Sequence, residues 1–133
     1  MSGATAAARA ALATLLRADP VLRATLNGVF DGPAVRATPP FAEIGEATSG
    51  DWGTKDRVGR ELRLAVILRD ATETSARIAA LAAAVEAAVP GLPRDLVGWR
   101  VASVAFLRSR IAGEGPGRWI AAVEFRVRML ASG

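Results

Sequence analysis

The acidic side chains are the first candidates for chemistry in this sequence, because a pair of carboxylates can act as a general acid and a general base. Two pairs lie close together in the chain: Glu43 with Glu46, and Asp51 with Asp56. The sequence contains no histidine and no cysteine, so the commonest general base, the commonest metal ligand and every thiolate are absent. Without such partners, solvated loop charge explains these carboxylates better. We therefore predict no catalytic, cofactor-binding or metal-binding residue, and we expect that the protein is not an enzyme.

The glycine-rich run of residues 113–117 is a second candidate, because glycine-rich loops can bind phosphate groups. It lacks the Gly-Lys-Ser/Thr ending of such loops and does not open a helix. Three glycines and a proline within residues 112–118 instead predict a hairpin loop between two strands.

Trp52 is the residue best suited to contact a partner protein. It lies between Gly50 and Gly53 in a long charged loop, where few neighbours in the sequence can bury it. Exposed tryptophans are enriched at binding hot spots. The alternative is that the ring folds back onto the sheet. The candidate contact residues of this segment are Asp51, Trp52, Lys55, Arg57 and Arg60.

Arginine supplies nearly all of the positive charge. The net charge is +4, and Lys55 is the only lysine among 17 basic residues. Alternation along two predicted strands places each of two arginine pairs on a single face; these arginines are Arg108, Arg110, Arg126 and Arg128. Such a face is either a solvated surface or an interface with another subunit or with a central channel. Abundant arginine and alanine also follow from a GC-rich genome, so the charge alone is weak evidence for a nucleic-acid partner.

A chain of 133 residues is long enough for one hydrophobic core, and we expect a single domain over residues 1–133. Apolar residues make up 51% and charged residues 23%, which is the balance of an ordinary globular domain. No stretch approaches the roughly 18 uninterrupted apolar residues that a membrane span needs, so we expect no membrane partner.

The hydrophobic periodicity predicts the element order α-α-β-β-α-β-β. We expect helices over residues 4–17, from Asp19-Pro20 to Asn27-Gly28, and over 72–89, with Asn27-Gly28 in the left-handed conformation. The predicted strands cover residues 41–48, 62–68, 99–111 and 119–130, with a further short strand at 29–31. The fold class is α+β, with an antiparallel or mixed four-stranded sheet and helices packed on one face. Leu81 and Val85 should face this sheet and contact Phe125.

Several segments resemble one protein family in their order and spacing over nearly the whole chain. They are the alanine-rich first helix, Leu16–Pro20, Val29–Asp31, Pro40–Gly45, Asp51–Lys55, Gly59–Glu61, the alanine-rich helix after Thr74, and Val123–Arg126. On these segments the chain resembles the tail-completion, or tail-terminator, proteins of long-tailed phages, most of all those of alphaproteobacterial prophages and gene transfer agents. No segment is a chemical signature, and residues 92–99 fit only loosely.

The resemblance implies a structural virion protein, made in the bacterial cytoplasm and incorporated at the head-proximal end of the tail. Such proteins form rings, here expected to be a hexamer. The implied partners are further copies of the chain, the major tail tube protein and a head-side stopper or connector protein. DNA would pass through the ring transiently and without sequence specificity.

Two other hypotheses are open on the residues alone. The first is a small basic regulator that binds nucleic acid; its support is the positive charge. The chain has no helix-turn-helix pattern, and its basic residues are spread through all the predicted elements. The second is an enzyme subunit that lacks an active site of its own.

Overall fold

The computed structural model of the chain describes residues 3–132, and within them it contains three α-helices and seven β-strands. The helices are α1 (Ala4–Ala18), α2 (Pro20–Thr25) and α3 (Ala76–Ala88), the last followed by a 3₁₀ turn at Val89–Gly91. The strands are β1 (Val29–Phe30), β2 (Phe41–Ile44), β3 (Thr48–Asp51), β4 (Gly59–Ala71), β5 (Asp95–Leu96), β6 (Trp99–Gly115) and β7 (Arg118–Ala131). No helix in residues 3–132 is long and apolar enough to cross a membrane.

All seven strands form one mixed sheet in the order β1-β2-β4-β7-β6-β5, and β3 pairs with β4 beside β2. The α+β class is therefore confirmed, whereas the prediction of four strands is wrong. Strand β1 agrees with the further short strand expected at residues 29–31, whereas β3 and β5, which are four and two residues long, are not predicted. So short a strand has no room for the apolar alternation by which a strand is recognised in a sequence.

Strand β4 is the centre of the sheet. It pairs with β2 and β3 along one side and with β7 along the other. The presence of apolar Ile67 between the buried Val66 and Leu68 agrees with this position. Among the described residues, β1 and β2 pair in parallel and every other pairing is antiparallel.

The helices pack against one face of the sheet, which we call the helix face; the opposite one is the outer face. Leu81 and Val85 of α3 are 3% and 0% exposed, and they belong to the same core as Phe125, which is 1% exposed. The predicted orientation of α3 is thus confirmed. Helix α1 adds Leu12 and Leu16 to this core.

The helix ends follow the sequence at one point and depart from it at two. Asp19 caps α2 as predicted, with its Oδ2 accepting a hydrogen bond from the backbone N of Leu22 at 3.1 Å. The left-handed ending at Asn27-Gly28 is wrong: α2 ends at Thr25, and Asn27 instead donates its side-chain amide to the carbonyls of the proline-rich loop. Helix α3 begins at Ala76, later than predicted; the carbonyl of Thr72, in the segment before it, accepts a hydrogen bond from the indole Nε1 of Trp119.

The predicted loop between the last two strands is mostly strand. Residues 112–115 and Arg118 continue the pairing of β6 with β7, so only Pro116 and Gly117 form the turn. Gly115 and Gly117 have φ angles of +128° and +67°, which few other residues adopt. The glycines therefore shape a tight hairpin instead of a long loop.

Strand β6 is a free edge of the sheet over most of its length. Strand β5 pairs only with Trp99 and Arg100, and no strand in residues 3–132 pairs with residues 102–115 on that side. The pairing of β6 with β7 shifts register at three places, between 101 and 103, 106 and 108, and 113 and 115. Phe106 and Ile111 lie on the helix face but beyond the helices, so they are 46% and 42% exposed.

Candidate functional site

The segment around Trp52 is a β-hairpin and not the long loop that the sequence predicts. Strand β3 pairs with β4 from Thr48 opposite Arg63 to Asp51 opposite Arg60. Beyond β3, the backbone N of Trp52 donates to the carbonyl of Gly59 at 3.0 Å. A Cβ at position 59 would lie 2.6 Å from the Trp52 carbonyl oxygen, so only glycine fits there. The predicted strand over residues 41–48 is correspondingly two strands, β2 and β3, separated at residues 45–47.

The ring of Trp52 folds back onto the outer face of the sheet and is half-buried. The guanidinium carbon of Arg128 lies 5.5 Å from the centre of the ring, which is the geometry of a cation–π contact. Trp52 is one of the predicted contact residues of this segment, and Arg128 is one of the four predicted arginines, so the contact joins the two predicted sets. Its two residues are far apart in the sequence and meet because β4 lies between β3 and β7.

Arg128 also belongs to a cluster in which three arginines surround one carboxylate. Its Nε donates to Oε1 of Glu61 at 2.9 Å, and the Nε of Arg126 lies 4.0 Å from the same oxygen. The hydrogen bond from Arg128, together with the charges of Arg126 and Arg63, holds the pKa of Glu61 below its ordinary value. The Nε of Arg126 is buried and has no hydrogen-bond partner within residues 3–132. The cluster therefore has more positive charge than its single carboxylate neutralises.

The other two predicted arginines lie further along the same face. Arg108 is opposite Glu124, and its Nε donates to Oε2 of that residue, which raises the pKa of the guanidinium. Arg110 is opposite Ala122, is exposed and makes no ion pair with any residue that the structure describes. All four arginines thus share the outer face, but Glu124 and Glu61 interrupt the positive charge. The face carries two separate basic groups.

Between these groups the outer face forms an open trough of about 460 Å³. Small apolar side chains, among them Ala65, Ile67 and Ala122, form its floor. Charged residues stand around it: Arg63, Arg108 and Arg110 with Glu46 and Glu124. Such a mixture of an apolar floor and a charged rim is typical of a protein interface.

The remaining residues of the first predicted set do not gather at Trp52. Asp51 accepts a hydrogen bond from the backbone N of Gly53 at 3.1 Å and so stabilises the turn. Lys55 and Arg57 are exposed at its tip. Arg60 lies opposite Met129, whose side chain is in the core, so it is on the helix face, away from Trp52. The set is therefore divided between the two sides of the hairpin.

Glu43 is not the solvated loop charge that the sequence suggests. It is a residue of β2, is only 9% exposed, and accepts hydrogen bonds from Arg69 at 2.9 Å and from the backbone N of Ala34 at 2.6 Å. Arg69 also reaches Glu114 at 3.1 Å and so joins β2, β4 and the end of β6. Glu46, Asp51 and Asp56 are exposed, as expected.

Two features of this surface are not apparent from the sequence. One is the ion-paired carboxylate Glu61, which follows Gly59-Arg60 in the sequence. The other is the free edge of β6, which nothing but the length of the predicted strand indicates. Within residues 3–132, no group of three or more acidic side chains is arranged to hold a metal ion.

Comparison with known proteins identifies the kind of molecule that carries this surface. The family model described as "Tail completion protein gp17" matches residues 10–130. Among solved structures, a similar chain comes from the "virion of native gene transfer agent (GTA) particle". It shares 26% sequence identity, the alignment covers 98% of this chain and 100% of that one, and the TM-score is 0.86. A search of curated protein sequences gave no match.

Proposed function

This chain belongs to the tail completion protein gp17 family, and from that membership we propose that it is a tail terminator. In this role, copies of the chain form a hexameric ring at the head-proximal end of a tail of the gene transfer agent type. The ring binds the major tail tube protein on one side and a head-side stopper or connector protein on the other. DNA passes through it during delivery.

The observation that carries the proposal is the match of the whole chain to a chain from an assembled gene transfer agent particle. The family is one of structural tail proteins, so its members act through the surfaces they offer to other proteins. The outer face and the β3–β4 hairpin are the surfaces of this chain that combine charge, an aromatic ring and exposure.

We assign the contacts to two groups of residues. Trp52, with Asp51, Lys55 and Arg57 at the hairpin tip and Arg60 on its other side, contacts a neighbouring subunit or the tail tube. Arg108, Arg110, Arg126 and Arg128 face a subunit interface or the channel. In the channel, the glutamates would partly neutralise the positive charge of the arginines, so that DNA is attracted only weakly. Weak attraction suits a ring through which DNA must pass without being retained. The same interruption is an argument against a nucleic-acid-binding regulator.

The proposal is tested by removing the protein from cells that make the particles and restoring either the wild type or Trp52→Ala. Without the protein, electron microscopy should show heads without tails and tails of uncontrolled length. Trp52→Ala should shift the particles in the same direction, because the loss of a hot-spot contact of about 2 kcal/mol is repeated around the ring. Val21→Ala is the matched control, since Val21 is 60% exposed on α2 and lies in neither proposed group.

Particles with attached tails of uniform length in the absence of the protein would overturn the proposed function. Normal particles with Trp52→Ala, beside defective ones when the protein is missing, would instead remove Trp52 from the contact and leave the function standing.

A further inference from the structure

Over the regular stretch of residues 108–113, no strand in the part of the chain that the structure describes pairs with the free edge of β6. These six residues pair with β7 without a register shift, and all are exposed. An uncovered edge of this kind is a template for another strand. On the opposite side of the sheet β3 is a candidate for that strand, because within residues 3–132 it pairs with β4 alone and its four residues are exposed.

We propose that residues 108–113 of β6 pair with β3, residues 48–51, of a neighbouring copy, so that the sheet continues from one subunit to the next. The inference rests on the proposed ring and names the strands that close it. A closed ring needs a heterologous contact, in which one patch meets a different patch of the next copy. Strands β6 and β3 are two different edges of one sheet and meet this requirement.

The charges of the two segments are complementary. Residues 108–113 carry Arg108 and Arg110, a formal charge of +2, whereas residues 46–51 carry Glu46 and Asp51, a formal charge of −2. Neither segment contains a proline, so each can donate hydrogen bonds along its length. The opposite net charges favour the approach of the two segments. Asp51 lies opposite Arg60 and so projects on the helix face, which leaves Glu46, just before β3, as the acidic residue that shares the outer face with Arg108 and Arg110. Two copies of β6 placed side by side would instead bring arginines together.

The strand directions fit as well. Strand β3 runs antiparallel to β4, β4 to β7 and β7 to β6, so β3 and β6 of one copy point in opposite directions. Rotation about the ring axis relates one copy to the next and leaves the direction of each strand along that axis unchanged. Strand β6 therefore lies antiparallel to β3 of the neighbouring copy. Alternation of strand direction then continues through the junction without a break.

The two edge segments are displaced from one another along the strand direction by the amount expected for a closed sheet with tilted strands. Strand β3 pairs with residues 60–63 of β4, while residues 108–113 lie level, through β7, with residues 65–70 of β4. The centres of these two segments of β4 are six residues apart, or about 20 Å along a strand. From β3 through β4, β7 and β6 to β3 of the next copy there are four strand spacings, or about 19 Å across the sheet. The resulting tilt is about 45°, at the upper end of the range found in closed barrels.

The pairing would also cover apolar surface on the same edge. Phe106 and Ile111 lie on the helix face of β6 and are 46% and 42% exposed. A strand added to this edge brings a neighbouring subunit beside both side chains. Their exposure in a single copy and the bare backbone edge therefore have one explanation.

Cysteine cross-linking tests the pairing cleanly, because the chain has no cysteine of its own. Ser49 lies opposite the core residue Leu62, and Ser109 and Ile111 lie opposite the core residues Val123 and Ala121, so all three project on the helix face. Two double variants, Ser49→Cys/Ser109→Cys and Ser49→Cys/Ile111→Cys, sample the two registers in which these side chains meet. Oxidation of particles or of purified protein at tens of micromolar should give a ladder of bands from two subunits to six with one of them.

Ser49→Cys/Ala83→Cys is the matched control, since Ala83 is exposed on α3 and belongs to neither sheet edge; it should remain monomeric on the denaturing gel. Dimers from the single variants Ser109→Cys or Ile111→Cys would mean that β6 pairs with β6, and would overturn the proposal. If the protein is present in tailed particles but neither double variant gives a ladder, the pairing is wrong and the proposed function stands. If the protein is absent from particles, the proposed function fails, and the purified protein alone decides the pairing.

Discussion

Trp52 and Arg128 show how the outer face is held together at the scale of single residues. The indole ring covers the guanidinium of Arg128, which in turn donates to Glu61. One arginine thus connects the β3–β4 hairpin with β7. Because the Trp52 ring is only half-buried, this contact stabilises the hairpin and still leaves part of the ring for a partner.

A double-mutant cycle measures the contact. Trp52→Ala and Arg128→Ala should show a coupling free energy of about 0.5–1 kcal/mol in urea unfolding of the isolated subunit, the value of an exposed cation–π pair. The control cycle pairs Trp52→Ala with Arg110→Ala; it should be additive, since Arg110 lies on another strand beyond β7. Additivity in both cycles would show that the ring does not interact with Arg128 in solution.

At the scale of elements, α3 is the helix whose packing decides whether the sheet folds. Leu81→Asp places a charge without a partner in the core beside Phe125 and should lower the free energy of unfolding by roughly 3 kcal/mol or more. The measurement is a thermal melt of the purified subunit. Ala83→Asp on the exposed side of the same helix is the control and should melt within a few degrees of the wild type.

A Leu81→Asp protein that melts cooperatively at the temperature of the wild type would contradict the burial of this side chain.

The elements also show what can be predicted from the sequence. Helices α1 and α3 and strands β4, β6 and β7 are recognisable because each is long and rich in apolar residues; in β4 the apolar alternation covers residues 62–68. Strand β3, Thr-Ser-Gly-Asp, has no apolar residue at all. It is a strand because β4 extends beyond Leu64 to Gly59, and residues 60–63 of this extension offer their edge. Tertiary pairing of this kind leaves no local signal.

The sequence indicates which residues form the candidate site but not how they are arranged in space. Trp52 and the four arginines stand out by their type and alternation. Their meeting depends on the register between β4 and β7, which places Glu61 opposite Arg128. A shift by a single residue would move Arg126 and Arg128 to the helix face, and nothing near either residue in the sequence fixes that register.

At the scale of the whole molecule, the distribution of charge determines how it meets DNA. The net charge is only +4, and glutamates pair with several arginines of the outer face. We expect the isolated subunit to bind duplex DNA with a dissociation constant of ~10⁻⁴ to 10⁻⁶ M at physiological salt, without sequence preference and more weakly as salt rises. Fluorescence anisotropy with two unrelated duplexes at two salt concentrations measures both properties.

Arg110→Ala should weaken this binding for both duplexes equally and reduce its dependence on salt, because a phosphate contact carries no sequence information. Nanomolar affinity for one of the two duplexes would favour the nucleic-acid-binding regulator over the tail terminator.

The three register shifts of β6 have a consequence for the subunit before it meets its neighbours. A long, flat strand edge in a free protein invites the stacking of identical segments into cross-β aggregates. In β6 the shifts divide the edge into short regular pieces, and the longest of them, residues 108–113, contains two arginines and a glycine. Like charges would stack on one another in an aggregate, which is unfavourable. The strand is thus open to one complementary partner while it resists copies of itself.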